Sequence, residues 1–346
     1  MNKYDQRYDF CLAQKSDIEE IMDYIGKHWK KGHILSVSRE FFEYEFLDGK
    51  DVHFILVRDR QNDGVIAALN GYYLCSKDKE NLDIWGTLWS VRNDLNNMPL
   101  LGVEIGRRRD QMVGSRSEIG VGDNEKTAIP VLGKLLKNRV GKLEHYYLLN
   151  DLPDYKIAKI ENKIIWTGRR LEDHPYYLRK IDRKKEIEER FDHKKYSGYI
   201  PYKDSWYFEH RFFEHPIYRY DVYGIYNENG NIETILVFRK VSYNQSHVLR
   251  LVDCTGNKGA IRYIYNDLKH LLEDGSEYID FYCLGFEEED LKMAGFIKRE
   301  ENDVNIIPNF FEPFLQENIE IWFNSTAEDV TICKADADQD RPSRLR

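Results

Sequence analysis

The chain has 346 residues, 42% of them hydrophobic, a formal net charge of -9 and a sequence pI near 5.7. That length exceeds one ordinary core and the apolar fraction fills two modest ones, so two domains are expected. The acidic balance argues against a protein that coats nucleic acid with a basic face, and no DNA partner is expected.

Tyr8–Ala13 reads as a first strand. Ser16 with Glu19 is a capping-box pair ahead of Ile18, Ile21, Met22 and Ile25 at helical spacing, which predicts a helix start. Val52–Arg58 and Gly64–Leu74 flank the polar turn 59–63 and form a hairpin. A composite unit then spans about 84–150: the apolar strand Asp83–Val91, the loop Arg92–Met98, an amphipathic helix from Pro99 to about Met112, the strand Ser117–Val121, a helix opening at Asn124 and a closing aromatic strand. A charged connection, 172–195, contains the helical run Lys180–Phe191. A second hairpin pairs Ile217–Asn227 with Ile232–Val241, and alternation of Tyr218, Tyr220 and Val222 is strand spacing. The composite unit then recurs over 247–324: strand Val248–Asp253, loop Cys254–Gly259, helix Ala260–Leu272, strand Tyr278–Leu284, a helix ending at Ala294–Phe296 and a closing aromatic strand.

Cys11, Cys75, Cys254, Cys283 and Cys333 are odd in number, widely spaced and without a C-x-x-C pair. They read as reduced thiols instead of disulfides or a zinc site, and no metal is expected. The first residues are charged where a secretory leader needs an apolar core, and no run approaches the roughly 18 apolar residues of a membrane span. A cytoplasmic protein with no transmembrane segment is the expectation. Basic clusters at Arg107–Arg109, Gly168–Arg170 and Arg179–Lys185 lie beside carboxylates or on predicted helix faces and read as solvated surface.

The duplicated order resembles the GNAT superfamily of acyl-CoA N-acyltransferases. That resemblance implies an α/β fold of two tandem GNAT-like domains, each a mixed, mostly antiparallel sheet flanked by helices, over 1–165 and 166–326, with an acidic tail at 327–346. In the family a splayed strand leaves a gap for the pantetheine arm, and an R/Q-x-x-G-x-G/A loop opens the next helix, whose free amides and dipole seat the pyrophosphate. The matching stretch is Asn97–Gly102, which keeps the last glycine. Gly120–Asn124 followed by Ala128 is similar to the family's strand ending in Asn. The resemblance therefore implies contacts to acetyl-CoA or another acyl-CoA from Asn97, Leu101, Gly102, Val103 and Asn124. Leu132–Gly133 stand where the family often carries an acid tyrosine, and Lys258 stands in the second copy's loop. The segments Trp29–His33, Arg211–Tyr218, Ile307–Phe314 and Lys334–Pro342 further resemble uncharacterised doubled GNAT proteins of bacterial surface-polysaccharide (O-antigen or capsule) biosynthesis.

Transfer to an amine needs a base, a donor that polarises the thioester carbonyl and an acid for the thiolate. Candidates for the proton chemistry are His28, His33, Asp94 and His215, the histidines because their ordinary pKa suits neutral pH. The acids Asp336, Asp338 and Asp340 recur at period two and share a face if extended. Three readings stay open: an acyltransferase acting on a small amino-sugar or nucleotide-sugar acceptor, a non-catalytic GNAT-like scaffold, and an aminoacyl-tRNA-dependent transferase. The acidity disfavours tRNA as a partner.

Overall fold

The computed structural model describes residues 2–166, 171 and 174–344; the basic cluster at 168–170 lies outside them. The chain opens with β1 (Tyr8–Gln14), α1 (Ile18–Tyr24), α2 (Ile34–Val37), α3 (Arg39–Phe46), β2 (Leu47–Asp48), β3 (Asp51–Asp59), β4 (Val65–Leu74) and β5 (Asp83–Val91). It continues through α4 (Leu101–Val113), β6 (Ser117–Val121), α5 (Ala128–Val131), β7 (Arg139–Lys142), β8 (Glu144–Leu149), β9 (Tyr177–Lys180), α6 (Lys184–Arg190) and α7 (Ser205–Phe208). Next come β10 (Asp221–Tyr226), β11 (Ile232–Tyr243), β12 (Ser246–Gly256), α8 (Tyr265–Leu271), β13 (Tyr278–Leu284), α9 (Glu288–Met293) and β14 (Ile297–Lys298). The short strands β15 (Phe310–Phe311), β16 (Phe314–Leu315), β17 (Trp322–Ser325) and β18 (Ile332–Cys333) follow.

Two compact units divide the chain. The first comprises Met1–Gly141, Trp322–Glu328 and Ala337–Arg346; the second comprises Lys142–Ile321 and Asp329–Asp336. These units are not the contiguous blocks expected with a boundary near 165. The first sheet runs β1-β3-β4-β5-β6-β17-β7, and the second runs β14-β8-β13-β12-β11-β10-β9 with β18 also on β13. Each contains a parallel pair, β5 with β6 and β12 with β13, with antiparallel pairs beside it. A parallel pair needs a crossover, and α4 and α8 sit on those crossovers. The mixed, mostly antiparallel α/β architecture is as expected.

The strands expected to close the two copies are exchanged. β8, at the end of the first span, pairs with β13 in the second sheet, while β17, at the end of the second span, pairs with β6 in the first. Tyr146 to Leu149 are all buried, so this stretch is covered on both faces and fits the interior of either sheet. The first core gathers Tyr8, Ile55, Val57, Ala68, Ile84, Leu101 and Ile105; the second gathers Leu236, Phe238, Leu251, Ile261, Leu268, Ile279 and Phe281.

Three local readings change. The Gln14 backbone N–H is held by the Asp17 carboxylate at 2.7 Å, so the cap lies two residues earlier than the Ser16–Glu19 pair. Residues 217–220 are not strand; Tyr220 packs edge-on to Phe212, and Tyr218 stacks on His215. The tail acids lose the period-two face expected of an extended segment, because residues 334–340 run as turns and a bend. The basic clusters are locally neutralised, with Arg108 on Asp5 and Glu104, Lys180 on Asp221, and Lys184 on Glu209 and Glu214.

Candidate active site

β5 and β6 pair only from Asp83 with Ser117 to Gly86 with Gly120. Beyond that point the described residues show no further pairing between them, and a cavity of about 360 Å³ opens at the divergence. Its walls include Trp29, Thr87, Trp89, Asp123, Asn124 and Asp338. A second, apolar cavity of about 320 Å³ adjoins Trp89 and is lined by Met98, Leu100, Leu101, Gly102, Val103 and Val131.

The divergence has a cause in β5. Its register against β4 steps from Trp89–Asn70 to Gly86–Tyr72, which leaves Thr87 and Leu88 opposite Gly71 alone. Such a bulge bends a strand and re-aims its side chains. Buried Asn70 donates to the Thr87 carbonyl at 3.2 Å, and Arg109 from α4 donates to Asn70 and pairs with Glu118 on β6. Burial pulls the Arg109 guanidinium down to about 10, and its Nε has no hydrogen-bond partner. This charged network beneath the gap ties the bulge, the crossover helix and the parallel strand together.

The loop leading into α4 is tied from within. Asn97 donates to the Arg92 carbonyl at 2.8 Å and accepts from the Tyr8 hydroxyl at 3.3 Å, while Met98 N–H donates to Tyr8 at 3.0 Å. Leu100 has φ +61, in the left-handed region, and is 58% exposed. No side chain caps the start of α4. An uncapped helix start leaves its first backbone amides free to meet an anion. Gly102 accepts from Trp89 Nε1 at 3.2 Å, and a Cβ there would stand 3.2 Å from Val91 and 3.5 Å from Trp89.

The structure brings His28 and Asp94 together at 3.8 Å. Asp94 is also held in a two-point pair by Arg92, which pulls its carboxyl down to about 2. His33 caps α2, accepting from Leu35 N–H at 3.3 Å, and burial, with Arg341 and Lys30 nearby, drives its imidazole down to about 3. His215 lies in the second unit, 1% exposed, accepting from the amides of Ile217 and Tyr218. Asn124 spends its side-chain oxygen on the amides of Lys126 and Thr127, both at 3.0 Å, and lines the first cavity. Leu101 and Val103 are buried at the start of α4 and line the second.

Asp123, beside Asn124, was not among the expected site residues. Burial raises its carboxyl to about 6, and Asp338 adds to the rise against the opposing Asn324 hydrogen bond and Arg109 charge. Asn324 on β17 donates to it at 2.7 Å. A carboxylate at the end of β6 was the available signal, but a raised pKa depends on burial and on Asp338, more than two hundred residues away in sequence.

The corresponding divergence in the second unit is filled by the chain itself. β12 and β13 pair from Leu249 with Ile279 to Leu251 with Phe281, after which β18 pairs with Cys283 and Leu284 and Ala335 N–H donates to Val252 at 2.8 Å. Beneath this plug Lys203 pairs with Asp253 at 2.6 Å and Asp336 at 2.8 Å. Burial pushes the Asp336 carboxyl up against the Lys203 charge, and neighbouring Asp253 adds to the rise. Lys258 donates to the Gly285 carbonyl and to Thr331, so its ammonium is engaged within the second unit beside the plug.

No family model matches the sequence, and no curated protein matches it. Among solved structures the chain is similar to an Enterococcus faecalis V583 protein of unknown function described as a probable N-acyltransferase, at TM-score 0.55 and 9% identity, covering 91% of this chain and 71% of that one. It is also similar to a GCN5-related N-acetyltransferase from Anabaena variabilis ATCC 29413, at TM-score 0.55 and 7% identity, covering 92% and 72%. The fold is that of the GNAT acyltransferases. Within this GNAT fold the two units are unequal: the first keeps an open strand gap, and the second closes its own.

Proposed function

We propose that the first unit binds an acyl-CoA between β5 and β6 and transfers its acyl group to the amine of an amino sugar or nucleotide-linked sugar. The observation that carries this reading is the unfilled divergence of β5 and β6, with Asp123 at the cavity wall. A cavity of about 360 Å³ is within the size range of small-molecule sites, roughly 300–1,000 Å³. The apolar cavity at Leu101–Val103 takes the donor, with its phosphates toward the uncapped start of α4. The amides of the bulged residues Thr87 and Leu88 polarise the thioester carbonyl. Asp123 accepts the amine proton as the C–N bond forms and the C–S bond breaks, and solvent protonates the departing thiolate, since Leu132 and Gly133 offer no acid. The sugar class and the surface-polysaccharide context rest on the sequence resemblance of Trp29–His33 and Lys334–Pro342.

A second reading applies to the second unit. Its plugged gap favours a non-catalytic GNAT-like unit that contributes structure alone.

Titrating the protein with acetyl-CoA or free coenzyme A while following its thermal midpoint tests the first reading, because a ligand of the folded state raises that midpoint by mass action. A saturable rise is expected, lost in Gly102→Trp, whose indole fills the cavity at α4. The absence of any rise at millimolar ligand would sink the proposal.

A further inference from the structure

Resting on that reading, we infer that Asp338, carried by the C-terminal segment, forms with Asp123 a two-carboxylate seat in the first cavity that selects an acceptor presenting a protonated amine beside an oxygen. The segment is built into the unit. Arg341, its side chain 5% exposed, donates to Tyr73 and Thr87 and pairs with Asp338 at 3.0 Å and Glu45 at 3.8 Å. Despite burial, which works the other way, Tyr73, Asp338 and Glu45 hold its pKa above the ordinary value. Ile34 N–H donates to the Ser343 carbonyl at 3.1 Å. Gly122, at φ +88, has no Cβ to spare: one there would sit 1.8 Å from the Gln339 amide.

The seat itself is open. Asp123 uses Oδ2 for Asn324, and Asp338 uses Oδ2 for Thr87 at 3.2 Å and for Arg341. Among the described residues neither Oδ1 has a protein hydrogen bond. Asp338 retains 26% side-chain exposure and lines the cavity. The other charges around Asp123 are Arg109 from α4 and Glu118 from β6, which pair with each other, so the cavity keeps an excess of negative charge. An ammonium group has three donors and suits two carboxylate oxygens. Buried Arg109 adds Nε, a donor without a partner, which an acceptor oxygen next to the amine satisfies. In turnover the seated ammonium gives one proton to solvent. The free amine then adds to the thioester carbonyl, Asp123 accepts the second proton as the C–S bond breaks, and solvent protonates the thiolate.

The test uses the full chain and compares wild type with Asp338→Asn and Asp338→Glu. In the first arm, calorimetry measures binding of a panel of hexosamines, bearing the amine at different carbons, against the matching hexoses. Wild type is expected to prefer at least one hexosamine over its hydroxyl counterpart by tenfold or more, with the preference lost in Asp338→Asn and regained in part by Asp338→Glu. In the second arm, thiol release from acetyl-CoA is followed against pH with the preferred amine. Asp338→Asn is expected to raise KM about tenfold and to move the acid limb of the profile to lower pH, since Asp338 helps to raise the Asp123 pKa, while coenzyme A affinity stays within twofold. No preference for any amine in wild type, or an Asp338→Asn profile with unchanged KM and acid limb, overturns the inference. The first arm needs no acyl donor, so failure of the seat and failure of coenzyme A binding are read separately.

Discussion

A carboxyl group held at about 6 is mostly ionised at neutral pH yet still basic enough to accept a proton, which is the property a general base needs. Asp123→Asn is therefore expected to lower kcat by roughly 10²–10⁴-fold, with coenzyme A affinity preserved, by a thiol-release assay. His33 leads to a different prediction. Its folded pKa, near 3, lies below the ordinary 6.5, so the neutral ring stabilises the fold above pH 6.5 and that contribution is lost as pH falls through the folded value. His33→Asn keeps a cap acceptor without titrating; its urea midpoint should decline less than wild type's between pH 6.5 and 3. Gly102 and Asn124 were legible from local pattern as positions near helix starts, and both line cavities of the first unit. Asp94 and His33 were read as proton carriers because their residue types allow it. In the structure Arg92 pairs with Asp94, and the amide of Leu35 donates to His33. Asp123 escaped because the terms that raise its pKa come from burial and from a residue remote in sequence.

At the scale of elements, the helix and strand patterns were readable because each carries its own period: β3, β4, β5, α4 and β13 fall within a few residues of where alternation and helical spacing place them. Pairing partners were not. β8 is covered on both faces and carries no alternation to say which sheet it joins, so its transfer to β13 was invisible locally. The plug in the second unit makes a sharp prediction. Lys203 is the cation between two fully buried acids, and Lys203→Met leaves Asp253 and Asp336 without it. Breaking a buried pair by removing one partner costs about 3–5 kcal/mol, so the urea transition reported by Trp206 should move to distinctly lower denaturant. A variant that unfolds like wild type would show that the triad is not what secures the plug.

For the whole molecule, the division into units made from non-contiguous segments matters more than the duplication itself. A polypeptide of residues 1–141 lacks β17, so β6 and β7 lose the strand between them and expose open edges. It is expected to be insoluble or to melt without a cooperative transition by calorimetry, whereas the full chain melts cooperatively. A soluble, sharply melting 1–141 fragment would mean that the first sheet can close without residues 322–328.

The late position of β17 and β18 also has a consequence for how the protein is made. Neither sheet can be completed until residues 322–336 have been synthesised, which at bacterial or eukaryotic elongation rates takes on the order of 20–70 s. About 200 residues separate β6 from β17, roughly 10–40 s of synthesis, and during that interval the free flank of β6 stays available to other chains. Folding of the two halves is thereby tied to the end of translation instead of proceeding one domain after another, and the nascent polypeptide is expected to depend on chaperones that shield strand edges until then.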